Sequence, residues 1–111
     1  TLYFGGGTPS LLGPERIGAL IEWFNPPNDC EITLEANPEN VTLSLMQAYR
    51  QAGINRISIG IQTLDNALLK RLNRLHDGNK AKEAVIATCD AGITNISVDL
   101  MYDLPGQDLI M

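Results

Sequence analysis

What this sequence has little of narrows the field before any motif is read. Only eight of its 111 residues are Lys or Arg, against thirteen Asp or Glu, for a net charge of −5. No basic run exceeds two residues. Nothing here makes the electrostatic footprint that nucleic acid or an anionic membrane surface needs. No apolar run approaches the ~20 residues of a membrane-spanning helix, and no charged-then-apolar leader opens the chain, so it reads as cytoplasmic. Cysteine is reduced to Cys30 and Cys89, far apart and in neither a zinc nor a Cys-x-x-Cys spacing. In that compartment they read as reduced, structural thiols. The single histidine, His76, sits in a polar loop and reads as solvated, with no metal role. Hairpin signals between strands are missing too, which argues against an antiparallel sheet.

What is present is a repeating strand and helix pattern of ordinary globular composition, with 44% hydrophobic and 19% charged residues. Leu2-Tyr3-Phe4 runs into three glycines and then Thr8-Pro9-Ser10. An apolar strand opening into glycines lets backbone approach a polar ligand, and residues with φ > 0 can turn their N–H groups onto one anionic atom. Pro14 to Phe24 carries Ile17, Leu20, Ile21 and Phe24 at helical spacing, and Asn25-Pro26-Pro27 ends it. Glu31 to Ala36 alternates as a strand, with Ile32 and Leu34 on one face and Thr33 and Glu35 on the other. Thr42 caps a second helix stopped by Gly53. A strand is predicted over 56–61, followed by Gln62, then a helix over 65–74, a helix over 80–91 stopped by Gly92, and a strand over 95–101.

Strands alternating with helices imply parallel strands joined by crossovers, an α/β class of (βα) repeats. An internal echo supports it. Ala52-Gly53-Ile54-Asn55-Arg56-Ile57-Ser58-Ile59 recurs as Ala91-Gly92-Ile93-Thr94-Asn95-Ile96-Ser97-Val98, offset by 91 − 52 = 39 residues. Aligned this way, Glu35, Gly60 and Asp99 are expected at one level, with Gln62 two residues beyond Gly60. Polar groups then gather at the C-terminal strand ends, where parallel α/β folds build their sites.

Four motifs in order, Gly5-Gly6-Gly7-Thr8-Pro9-Ser10, Leu34-Glu35-Ala36-Asn37-Pro38, Ser58-Ile59-Gly60-Ile61-Gln62 and Val98-Asp99-Leu100-Met101-Tyr102, resemble the radical S-adenosylmethionine enzymes of the oxygen-independent coproporphyrinogen III oxidase type. Leu104-Pro105-Gly106-Gln107 fits as well, and Asn73-Arg74-Leu75-His76 looks closer to the haem-chaperone subgroup. Asp103 departs from the family pattern, in which glycine is usual between the tyrosine and Leu-Pro-Gly.

The resemblance implies a partial TIM-type barrel and cofactors that carry the chemistry: S-adenosylmethionine, cleaved reductively to a 5′-deoxyadenosyl radical, and a 4Fe-4S cluster. The family's Cys-x-x-x-Cys-x-x-Cys cluster motif is not in this sequence. Residues 1–111 are therefore expected to be a central fragment of the radical S-adenosylmethionine core domain, with the cluster ligands before Thr1 and the isolated chain binding no cluster. By the same resemblance Gly6, Gly7 and Thr8 line the methionine end of S-adenosylmethionine. Arg74, twelve residues after Gln62 (74 − 62), would take its carboxylate bidentately. Glu35 would take the ammonium or ribose, and Gln62 and Asp99 the ribose hydroxyls. A porphyrinogen or haem would be met by segments beyond this chain. The alternatives are a haem carrier without oxidase activity, an inactive truncated (βα) piece, or a (βα) barrel piece whose glycines cradle a phosphate.

Overall fold

The computed structural model describes residues 1–6 and 9–101. Four strands, β1 (Leu2–Phe4), β2 (Ile32–Ala36), β3 (Arg56–Gln62) and β4 (Asn95–Leu100), form one parallel sheet in the order β1-β2-β3-β4. Between them run α1 (Pro14–Phe24), α2 (Leu43–Ala52), the short α3 (Asn66–Arg71) and α4 (Gly78–Asp90). Two 3-10 turns, Pro9–Leu11 and Pro38–Asn40, sit in the loops after β1 and β2.

Local chemistry sets the element ends. The side chains of Thr42, Asp65 and Asp77 cap α2, α3 and α4 by accepting from the backbone N–H three residues on. Gly53 closes α2 at φ 120°, a left-handed conformation that glycine takes without a Cβ clash. Two predicted bounds are corrected. The helix expected over 65–74 ends at Arg71, because Asn73 turns to φ 55° and Arg74 N–H bonds back to Leu69 O, so Arg74 leaves the helix. The last helix begins at Gly78 rather than Lys80, since Asp77 rather than a later residue supplies the cap.

The two faces of the sheet differ in kind. Ile32, Leu34 and Ala36 of β2 and Ile57, Ile59 and Ile61 of β3 are buried with Ile17, Ile21, Met46, Tyr49, Ala81 and Ala84 from the helices. That contiguous apolar layer is the core, and its burial is the main stabilising term. The alternation of a strand puts Tyr3, Thr33, Glu35, Arg56, Ser58, Ser97 and Asp99 on the opposite face. There Arg56 reaches Thr33 Oγ1 at 3.2 Å and bonds Ser97 Oγ. Apolar and helix-covered outside, polar inside: this is the layering of an open stretch of barrel wall.

The 39-residue echo is a true register. Arg56, Ile57, Ser58, Ile59 and Gly60 pair with Asn95, Ile96, Ser97, Val98 and Asp99, each 39 residues on. A bulge then breaks it, and Gln62 pairs with Leu100. Glu35 corrects the expected levels: it lies opposite Ser58, not Gly60, so it sits two residues lower than Asp99. A two-residue shift keeps it on the same face.

Candidate functional site

At the C-terminal strand ends the polar face opens into a cavity of about 220 Å³ lined by Glu35, Ala36, Asn37, Ser58, Gly60, Gln62, Arg74 and Asp99. Four residues named from the sequence, Glu35, Gln62, Arg74 and Asp99, therefore come together. Gly6 stands beside them through Glu35. Gly7, Thr8 and the segment from Tyr102 onward, including Asp103 and Leu104-Pro105-Gly106, lie outside the described residues.

Glu35 is held at both oxygens. The Tyr3 hydroxyl donates to Oε1 at 2.7 Å, and Gly6 N–H donates to Oε2 at 3.1 Å. Gly6 reaches it in a left-handed turn, φ 83°. The anion that gathers this glycine backbone is thus a carboxylate of the chain itself. A Cβ on Gly5 would stand 2.6 Å from the Tyr3 ring and 3.1 Å from Glu35 Oε1, so only glycine lets the tyrosine fold over the loop. The bond to Glu35, then burial, then the carboxylate's charge push the Tyr3 hydroxyl up from its ordinary value of 10.0. Tyr3 was not singled out from the sequence, where it counted only as strand hydrophobicity. Its alternation onto the polar face was the available signal.

Arg74 is half-buried and stands where the loop after α3 folds back over β3. Its Nη2 donates to Asn37 Oδ1 and to Gly60 O, both at 3.2 Å. Nε is buried without a hydrogen-bond partner, and the guanidinium has no carboxylate partner among the described residues. It is not a solvated arginine at a helix end. Gln62 holds φ 71°, which is costly for a side chain with a Cβ, and the bulge at Gly60/Gln62 accompanies it. Gly60 keeps the centre clear. A Cβ there would lie 3.1 Å from Gln62 Nε2 and 3.5 Å from both Arg74 Nη2 and Asn37 Oδ1. Asp99 is exposed at the β4 edge, with Ser58 Oγ 3.4 Å from its Oδ2.

Asn37 and Ser58 complete the cavity and were quoted only as parts of motifs. His76 is a correction. Expected in solvent, it is 5% exposed, with Nε2 3.0 Å from Ile61 O and Nδ1 3.3 Å from Glu39 Oε2. Its loop is polar in sequence but packs under the strand end, which local composition does not report. Cys30 is partly buried and Cys89 exposed, and both are free thiols. Among the described residues no three His, Cys, Asp or Glu side chains are placed to hold a metal ion. No helix among them is long and apolar enough to cross a membrane.

The arrangement offers one unpaired guanidinium, two acidic side chains and neutral amides around an open cleft. That set suits a ligand with a carboxylate at one end and hydroxyl or cationic groups at the other. The sequence profile of the Radical SAM superfamily matches residues 1–110. The heme chaperone HemW of Lactococcus lactis is 38% identical over 115 residues, covering 100% of this chain and 30% of its own length. That of Escherichia coli is 41% identical over 113 residues, covering 98% and 30%. Among solved structures, coproporphyrinogen III oxidase (HemN) from Escherichia coli, described as a radical SAM enzyme, superposes with a TM-score of 0.83 at 30% identity, over 96% of this chain and 25% of that one. The chain thus spans about 30% of the length of the curated relatives it matches.

Proposed function

Since this chain belongs to the radical S-adenosylmethionine superfamily, we propose that its strand-end cleft is the S-adenosylmethionine wall of a longer protein that acts in haem metabolism. The observation that carries this is the unpaired guanidinium of Arg74. Two neutral oxygens hold it at Nη2, and no carboxylate within the described residues neutralises it. A half-buried cation without an anion is left with an unmet demand for charge, and an incoming carboxylate meets it. In this reading Arg74 would take the methionine carboxylate, Asp99 and Gln62 the ribose hydroxyls, and Glu35 the ammonium or ribose while it anchors Gly6. Gly7 and Thr8 would continue that wall along the methionine end.

The cofactors supply the reaction: S-adenosylmethionine and a 4Fe-4S cluster held elsewhere in the full protein yield a radical when bound together. This segment's own task is to bind and orient. Gly60 leaves room for the ligand, and Gln62, Arg74 and Asn37 border that room from three segments. Residues 1–111 are read as the central part of the core domain, and the full reading frame is expected to encode Cys-x-x-x-Cys-x-x-Cys ahead of Thr1. Of the two activities carried by the similar proteins, haem binding is the reading favoured here. The relatives named heme chaperone are about 40% identical, against 30% for the oxidase structure.

Equilibrium binding of S-adenosylmethionine to the full-length, anaerobically reconstituted protein tests the site. Arg74→Lys should weaken it by about tenfold to a hundredfold, because an ammonium replaces a bidentate fork. Unchanged affinity would remove Arg74 from the site. The same preparation should bind haem by absorbance titration without converting coproporphyrinogen, and measurable conversion would favour the oxidase reading.

A further inference from the structure

Arg74 and His76 lie two residues apart on one loop, and each contacts the same two neighbouring segments. Arg74 reaches Gly60 O and Asn37 Oδ1; His76 reaches Ile61 O and Glu39 Oε2. Gly60 and Ile61 are adjacent on β3, and Asn37 and Glu39 flank the Pro38 turn. The result is a ladder of two rungs across three segments. The upper rung faces the cleft. The lower one is buried, with the His76 side chain 0% and the Glu39 side chain 22% exposed.

We propose that the His76–Glu39 pair is a positioning device that sets Arg74 for the carboxylate of its ligand, an inference that rests on the S-adenosylmethionine reading. Arg74 lies past the end of helix α3 and keeps one backbone bond to it, from its N–H to Leu69 O. From Leu72 to Asp77 the chain is loop, so something other than helix must hold the guanidinium in register with β3. The neighbouring side chains offer little, since Leu75 is 84% exposed. His76 is the buried anchor of that loop. Its two ring nitrogens face two acceptors, the backbone carbonyl of Ile61 and the carboxylate of Glu39. His76 Nδ1 and Glu39 Oε2, both buried, make no hydrogen bond and have only their 3.3 Å contact with each other. Loss of either leaves a buried polar group unmatched beside the strand end, and the loop shifts to satisfy it. Such a shift moves Arg74, two residues away, and a displacement of an ångström is enough to lose a bidentate contact.

The test compares two ligands on the full-length protein: S-adenosylmethionine and decarboxylated S-adenosylmethionine, which lacks only the group Arg74 is placed to hold. The unaltered protein should prefer the first, and Arg74→Lys should abolish most of that preference. His76→Gln should weaken S-adenosylmethionine by about threefold to tenfold while changing the decarboxylated ligand by less than about twofold. Glu39→Gln keeps the side-chain shape and should act in the same direction. Adding it to His76→Gln should cause little further loss, because the two form one unit. If His76→Gln does not fold, Glu39→Gln alone decides the matter. Equal weakening of both ligands, or of neither, overturns the positioning role while Arg74 keeps its own. Indifference of the unaltered protein to the carboxylate overturns the Arg74 reading instead, and the present inference falls with it.

Discussion

Tyr3 shows how much one side chain on the polar face can decide. Its hydroxyl bonds the carboxylate that also receives Gly6 N–H, so strand, glycine turn and β2 meet at a single acid. Because the folded structure raises the Tyr3 hydroxyl above 10.0, whatever stability it adds is fully present below that value. It is lost as pH rises through the raised one. Tyr49, buried against the helices, is also pushed up and acts in the same sense. The expected outcome is a fall in urea midpoint at strongly alkaline pH that Tyr3→Phe makes shallower, leaving the part owed to Tyr49. At neutral pH the same substitution should cost no more than about 1 kcal/mol, since the pair is open to water. An identical alkaline profile for the variant would show that the tyrosine does not hold the loop.

At the scale of elements, packing rather than propensity separates two glycines in helices. At Gly78, the first residue of α4, a Cβ would lie 2.7 Å from Leu64 O, a backbone atom that cannot turn aside. Gly18, within α1, would place its Cβ at 3.4 Å from Ala52 Cβ, an ordinary contact. Gly78→Ala should therefore destabilise by about 1–3 kcal/mol, and Gly18→Ala should be neutral or stabilising by up to about 1 kcal/mol. Chemical denaturation of the two variants checks this, and equal effects would refute it.

Most elements were legible in the sequence because apolar periodicity, the Thr42 cap and the glycine stops are local signals. The β3 and β4 register could be read from the 39-residue echo. What escaped was set by distant contacts. The level of Glu35 depends on how β2 meets β3, and no echo covers that pair. The early end of α3 and the burial of His76 both come from a loop folding back onto β3. Glu35, Gln62 and Asp99 were marked by the strand alignment and the family motifs together, and Arg74 by the family resemblance alone. Tyr3 and Glu39 were not, because neither carries a distinctive pattern.

For the molecule as a whole, the two ends of the sheet are the weak points. Among the described residues β1 and β4 each pair on one side only, and Val98, Leu100 and Met101 are exposed by 43%, 63% and 43%. An unpaired strand edge with apolar side chains beside it invites pairing with another copy. The 111-residue chain produced by itself should self-associate, as light scattering over a dilution series would reveal. Leu100→Lys should reduce the association. A monodisperse monomer at high concentration would contradict the expectation.

The strand order has a further consequence, for synthesis. β1, β2, β3 and β4 lie side by side in the order in which they are translated. Each emerging strand finds its partner already made and joins at the outer edge, so no strand must be threaded between two others. Assembly can follow the order of translation, one strand added at a time. The cleft follows the same schedule. Glu35 waits for Ser58, Arg74 arrives only after β3 is laid down, and Asp99 closes the wall last. A nascent chain halted before β4 would hold most of the sheet and an incomplete binding wall.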